Sequence, residues 1–446
     1  MKQLLVLLVL VSVVGMWSQP RQRYEQPVVT PVSNVVGILH AFPSQSPDSS
    51  QCIIGYRVAL GDLLFHQRNS TVGEFVASYT ATIELRDTLG VVRYARVFRD
   101  SVVRRTLPDR FSPDATANLD TVTLANGTYA VSVDIMQEQR QRMLWQSSVT
   151  LGSTPALLAS ASLAFASTLE HDARICLEPW GGVIPFGTRW VWALCVVPRS
   201  WSGRDELTVQ ARLVHQYYPF YRGEDTVVVT PPATDDRSTF VRPVGVIEPD
   251  VQQRRACLAL LPSSQLRLVE ALLDLRRAIP GDYVLDVIRP STRDTLHLSF
   301  RIQWFAPPVQ LFQSRYALAV MQYVLPDDEY RTLADTPDSD RVAAIIRWWQ
   351  SQDPTPATRY NEAMVEYFRR ALQARSSYAT ATESDGALTE RGKIFILFGA
   401  PSRVETDLEP GRPGVEIWYY TNAVRKRFTF EVGQQGRYRL RKIESL

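Results

Sequence analysis

Residues 75–85 place Tyr79, Ala81, Ile83 and Leu85 on one side and Thr80, Thr82 and Glu84 on the other. Such alternation fits a half-buried β-strand and no helix, because successive side chains of a strand point to opposite faces. The chain around it keeps the same period. Asp87-Thr88-Leu89-Gly90 reads as a hairpin turn into residues 91–98, and Asn126-Gly127 is a turn signal ahead of residues 129–135. Residues 35–39, 52–58 and 143–151 supply further short strands, and no long helical pattern interrupts them. Residues 34–152 are therefore expected to form a β-sandwich of the Ig-like kind.

Residues 156–305 repeat the plan. Gly281-Asp282-Tyr283 precedes a strand as Gly127-Thr128-Tyr129 does, and in each case a turn and a last strand follow, at 296–304 and 145–151. Residues 266–275 fit helix and strand equally. Ala306-Pro307-Pro308 opens a linker, 306–310, beyond which helical spacing takes over at 313–325 and 340–350. The expected fold class is mainly β, two tandem β-sandwich units followed by a helical-plus-antiparallel-sheet (α+β) domain over 311–446.

That last domain holds the one segment with an individual signature. Val342, Ile345, Ile346 and Trp349 recur at helical spacing beside Trp348, and Pro354 and Pro356 end that helix. Thr355 is placed as the N-cap of the next helix, with Pro356 at its first position. Tyr360, Met364, Tyr367, Phe368, Ala371 and Tyr378 share one face of it, while Glu366 and Arg370 stand four apart on another. Gly386 and Gly392 bracket a tight connection into the apolar run 393–398, expected as a strand buried on both faces. Residues 417–420 and 428–432 are its expected antiparallel neighbours.

Together these residues resemble the GWxTD-domain family of exported bacterial proteins. The resemblance rests on Trp348 and Trp349 ahead of Asp353-Pro354-Thr355-Pro356, and on Asn361-Glu362. It also rests on Gly386, Thr389, Glu390, Arg391 and Gly392, on Gly399 and Pro401, and on Glu416 through Trp418 to Tyr420. It covers roughly residues 311–446. Ala387 stands where the family's tryptophan would fall, and Glu390 where its aspartate would. The resemblance implies an envelope or secreted location and brings no established activity with it.

The sequence also bounds location and partners. Residues 1–18 read as an export signal, with Lys2 ahead of an apolar run at 4–14 and small residues at Gly15 and Ser18. The run is shorter than the roughly 20 residues a spanning helix needs. An uncleaved N-terminal anchor is the alternative. Residues 19–33 read as a flexible lead, and no transmembrane helix is expected after cleavage. A net charge of +3 in 446 residues is too balanced to argue for nucleic acid. Cys52, Cys176, Cys195 and Cys257 lack metal-ligand spacing. Either Cys176 and Cys195 bridge adjacent strands, or all four are small buried residues.

Catalytic chemistry finds few candidates. The histidines His40, His66, His171, His215 and His297 all precede the C-terminal domain, which also lacks cysteine. Histidine-based acid–base chemistry, a zinc site and a cysteine nucleophile are therefore not expected there, and in the β units the histidines are read as isolated. Asp385 with Glu390, and Asp353 with Glu362, are the carboxylates that a hydrolase would need in a cleft. Against this, Asp353 suits backbone hydrogen bonds at a helix start, and Arg391 suits a buried carboxylate that fixes the turn. Gly386 to Lys393 fails as a phosphate loop, because Ile394 stands where Ser or Thr is required. Trp348, Trp349, Trp418, Tyr419 and Tyr420 either pack in the core or line a glycan- or peptide-binding groove. The expectation is an exported, non-enzymatic envelope protein binding an envelope protein or a glycan. It has no cofactor and no metal, and a carboxylate hydrolase or a glycan-binding module are its alternatives.

Overall fold

Two sheets of this chain are covered by apolar seams on both faces, and that follows from how the sheets are layered. In the computed structural model the described residues are 35–446 without 45, 69–73, 106–113, 138–140, 153–162, 168–173, 199–200, 202–206, 219, 222–226, 230–232, 236–239, 248–254, 262–265, 306, 408–412, 422–423 and 434–435. The fold is mainly β, with helices gathered near the C-terminus. The export signal and the lead, 1–18 and 19–33, lie outside the described residues.

Four sheets stack through three apolar seams. Strands Val35–Pro43, Ser49–Ala59 and Ala115–Ala125 make an antiparallel sheet. Its Cys52, Ile54, Tyr56 and Val58 meet Ala77, Tyr79, Ala81, Ile83 and Leu85 of Phe75–Asp87, on the side that alternation predicts. Phe75–Asp87 pairs with Val92–Arg104 across the expected turn and with Gly127–Gln137, which pairs in turn with Gln141–Leu151. Asn126 and Gly127 carry the chain from the first sheet to this second one, so the turn joins two sheets where a hairpin would join neighbours.

The other face of the first sheet, Ile38, Phe42, Ile53 and Leu119, packs on Leu194, Val196 and Leu268. These belong to a third sheet containing Trp190–Pro198 and Leu266–Asp274. Val191, Ala193, Cys195, Val197, Val269, Ala271 and Leu273 turn the opposite way, onto a fourth sheet that includes Thr208–Gln216, Gly281–Ile288 and Thr295–Gln303. Leu266–Asp274 is thus a strand, and its lack of alternation comes from burial on both sides. The internal echo has a structural counterpart. Tyr129 donates its hydroxyl to the Ala125 carbonyl at 2.7 Å, and Tyr283 to the Ile279 carbonyl at 2.9 Å.

The Cys176–Cys195 bridge is not formed. Cys195 is a free buried thiol in the seam between the third and fourth sheets. Cys176 is disulfide-bonded and stands in strand register opposite Cys257. Spacing in sequence could not reveal that the two cysteines of the expected pair enter different sheets.

Five α-helices follow: α1 (Ser314–Met321), α2 (Asp327–Asp335), α3 (Asp338–Ser351), α4 (Glu362–Ser377) and α5 (Glu390–Phe398). After them comes a four-stranded antiparallel meander of Arg403–Asp407, Gly414–Tyr420, Lys426–Val432 and Tyr438–Ser445. Residues 393–398, expected as a strand, form most of α5. A short apolar run that is buried all round carries no periodicity to separate the two states, and the caps decide it. Thr389 Oγ1 accepts from the Gly392 N–H, and Gly399 ends the helix at φ +78°. The start of α4 also differs. Asn361, not Thr355, is its N-cap, and residues 354–359 make turns. The core of this domain takes in Tyr218, Tyr221, Ile279 and Trp304 from the preceding β region.

His40 lies on the seam-facing side of Val35–Pro43, and burial pushes its pKa down to about 4, with only the Leu163 backbone opposing. A base whose folded pKa lies below the unfolded 6.5 binds its proton preferentially in the unfolded state. The seam therefore loses stability as pH falls from about 6.5 towards 4. At pH 5 this one residue accounts for about 2 kcal/mol relative to pH 7. Urea titrations at the two pH values will show a smaller difference for His40→Leu than for the parent, and an equal difference would refute the assignment.

Candidate functional site

The residues that mark the C-terminal domain fall into two groups, and both are built around backbone. The first begins at the end of α3. Trp349 is buried against Tyr367 and Phe368, with ring centroids at 5.2 and 6.0 Å. Trp348 is only half-buried and donates its indole N–H to Glu329 on α2. Asp353 accepts from the Thr355 N–H at 2.8 Å, a local turn. The Thr355 hydroxyl donates to Glu362 at 2.5 Å. Asn361 serves twice, accepting from the Met364 N–H at 2.8 Å and donating to the Trp349 carbonyl at 2.6 Å. It therefore ties the last turn of α3 to the first turn of α4 while satisfying groups that helix ends leave open. Pro354 is exposed at the turn's tip.

This turn docks on the β region. The Arg359 N–H donates to the Arg276 carbonyl at 2.7 Å, Tyr360 meets Phe186 edge-to-face at 5.3 Å, and Arg189 lies 3.6 Å from Glu362. The last pair is exposed on both sides and contributes little by itself. The aromatic contact, continued by Trp304 and Tyr221, is the durable part of the joint.

The second group surrounds a 3-10 turn, Gly386–Leu388. Asp385 caps it by accepting from the Ala387 N–H at 2.9 Å, and also accepts from the Tyr316 hydroxyl. Thr389 caps α5 and donates its hydroxyl to the Gly386 carbonyl at 2.8 Å. A Cβ on Gly386 would strike the Ala374 carbonyl and the Ala379 N–H, and one on Gly392 would strike the Gly386 carbonyl. Only glycine fits at either place. Ala387, where the family's tryptophan would fall, is wholly buried. Glu390, in place of the aspartate, accepts from the Leu440 N–H and so ties α5 to the last strand.

Arg391 holds this group to the sheet. Its guanidinium lies 3.4 Å from Glu416, with the two side chains only 12% and 11% exposed, and 3.3 Å above the Tyr438 ring. Glu416 also accepts from the Trp418 indole N–H at 2.8 Å. This is the buried carboxylate expected for Arg391. Glu416 belongs to the signature but was not paired with Arg391 in sequence, Tyr438 was not singled out at all, and only the alternation of residues 414–420 hinted that Glu416 shares the inward face of Trp418. At the far end of α5 the Gly399 carbonyl accepts from the Tyr420 hydroxyl at 2.8 Å, with half-buried Pro401 just beyond. The expected pair between Glu366 and Arg370 is present at 2.6 Å.

The candidate carboxylates are thus occupied. Asp353, Asp385, Glu362 and Glu390 each accept from backbone or hydroxyl donors, and no group of three or more metal-ligating side chains occurs among the described residues. His297 departs from the isolated histidines expected. Its Nδ1 lies 2.6 Å from Asp286, which Arg212 also holds. His171 lies outside the described residues. No described helix is long and apolar enough to cross a membrane.

Single substitutions here will be costly. Arg391→Met and Glu416→Leu, made separately, will each lower unfolding stability by about 3–5 kcal/mol, because each strands a buried charge. The double variant will recover most of that loss in chemical denaturation, and additive losses would sink the pair's assigned role. Gly392→Ala will cost at least about 3 kcal/mol, well beyond an ordinary helix substitution.

No curated protein matches the chain. A crystal structure of Salmonella alpha-2-macroglobulin reacted with methylamine aligns at 10% identity over 62% of this chain and 17% of that one, with a TM-score of 0.13. This chain therefore spans less than a fifth of that protein's length, and the alignment carries no argument about fold. The GWxTD domain family matches over residues 291–444, which contain both groups and begin one strand upstream of the helices. The C-terminal third of this chain is a GWxTD domain.

Proposed function

We propose that this chain is an exported, non-enzymatic envelope protein that acts as a binding scaffold, its partner an envelope protein or a glycan. The observation that carries this reading is how the signature side chains of the GWxTD domain are used. Thr355, Asn361, Asp385, Thr389, Glu390 and Arg391 direct their polar groups at backbone or at one another. A catalytic carboxylate pair needs members free to meet substrate, and these are engaged. Two Ig-like units spanning residues 34–152 and 156–305 are part of the proposal, supported by the matching tyrosine contacts of Tyr129 and Tyr283. Export rests on residues 1–18, and the mature chain would then begin near Gln19.

The test uses the full-length tagged protein, cross-linked in its native envelope and recovered for mass spectrometry, beside hydrolysis screens on glycan and peptide substrates. A specific partner, an N-terminus near Gln19 and no turnover above blank are expected. Turnover that falls at least tenfold in a folded Asp385→Asn variant would instead make this a hydrolase.

A further inference from the structure

The binding reading leaves open where a ligand would sit, because the tryptophans of the signature do not offer a surface. Trp349 and Trp418 are buried, and Trp348 is half-covered and held by Glu329. A tryptophan outside the signature does. Trp190, at the start of Trp190–Pro198, is 49% exposed. It shares a sheet face with Trp192 two residues on, at a spacing of about 6.6 Å along a strand. Asp274 lies between Trp190 and Val228 in strand register, and Val228 is 60% exposed. This face continues the seam that buries Leu194 and Val196 against the first sheet.

The polar rim is specific. The Arg276 guanidinium stands 5.3 Å from the centre of the Trp190 ring and grips Asp274 with Nε–Oδ1 at 2.9 Å and Nη2–Oδ2 at 2.6 Å. Next to Trp190 in sequence, Arg189 lies 3.6 Å from Glu362. The charges that frame the ring, Arg276 and Asp274, are therefore paired with each other, and a charged ligand seated on the ring would have to break that pair. An uncharged, hydroxyl-rich ligand would not. It can lay a C–H face on the indole and share the remaining donors and acceptors of the Arg276–Asp274 fork. The exposed apolar area, half of one indole and one valine, is about 200 Å², against about 800 Å² per side for a stable protein–protein interface. The patch fits one or two sugar rings and is too small for a protein.

We propose that Trp190, framed by Arg276, Asp274 and Val228, is the binding platform for a neutral oligosaccharide. This rests on the binding reading and names its ligand class. Chitotetraose, cellotetraose and maltotetraose are titrated into the full-length protein, with tryptophan fluorescence and isothermal calorimetry as readouts. At least one is expected to bind and to shift the fluorescence. Trp190→Ala is expected to abolish binding, and Trp190→Phe to weaken it several-fold, in proteins whose cooperative unfolding shows that they remain folded. Arg276→Lys, which keeps the charge and loses the fork, is expected to weaken binding at least threefold. No binding by any of the three sugars, or undiminished binding in a folded Trp190→Ala protein, overturns the proposal. A protein cross-linked through residue 190 with no response to sugar would overturn it too, while leaving the scaffold reading in place.

Discussion

The C-terminal domain depends on two backbones meeting with no side chain between them. The end of α4, the Gly386–Leu388 turn and the first turn of α5 approach so closely that a methyl group at Gly386 or Gly392 would occupy another residue's backbone atoms. That approach brings the Thr389 hydroxyl onto the Gly386 carbonyl and directs Arg391 towards the sheet. Glycine is costly within a helix because it surrenders backbone entropy. Its presence in the first turn of α5 makes sense only because the close approach returns more in packing and capping than the entropy takes. Asp385, Thr389 and Arg391 owe their positions to it, which explains how one short segment can mark a family through backbone packing.

Packing does not respect the boundary that composition draws. Pro307 and Pro308 look like a linker, yet Gln310 is buried and donates to the Phe368 carbonyl at 2.8 Å, while Trp304 and Tyr221 belong to the helical core. The family match likewise begins at residue 291, ahead of strand Thr295–Gln303. On the other side, the first and third sheets share a seam through Ile53, Leu194 and Leu268. Sheets in the middle of a stack cannot carry a polar face, since a buried polar group needs a partner that an apolar seam does not supply. Within the seams, Leu268, Val269, Ala271 and Leu273 of one strand and Val191 and Ala193 through Val197 of the other are apolar for this reason.

The legibility of the fold followed the same physics. Where one face met water, as in Phe75–Asp87, alternation named both the strand and its inward side. Where both faces were buried, the signal vanished. Residues 266–275 stayed ambiguous, and residues 393–398 read as a strand although they are helical. Thr389 and Gly399 were the available correction, nine residues of helix apart, a cap at each end of the run. At α4 two caps competed. Thr355 before a proline satisfies every local rule, but Asn361 also reaches the Trp349 carbonyl, and that tertiary bond is invisible in sequence. The cysteines failed for another reason, because pairing depends on which sheet a strand joins. The site was legible as a list of residues and not as an arrangement. Glu416, the partner that gives Arg391 its purpose, is 25 positions away.

That partnership also explains why the position calls for arginine. Its guanidinium sits 3.3 Å above Tyr438 and 5.4 Å from the centre of the Tyr378 ring while facing Glu416. A planar, weakly hydrated cation can stack on a ring and hydrogen-bond in its own plane at once, whereas an ammonium cannot do both. Glu416 is shared with the Trp418 indole, so the carboxylate keeps two donors in an environment where an unmet charge would be severe. Helix α5, the strand Gly414–Tyr420 and the strand Tyr438–Ser445 are held by this one cation. Arg391 thus spends its charge inside the fold, on Glu416 and the Tyr438 ring, while Trp190 is among the side chains that the architecture leaves exposed.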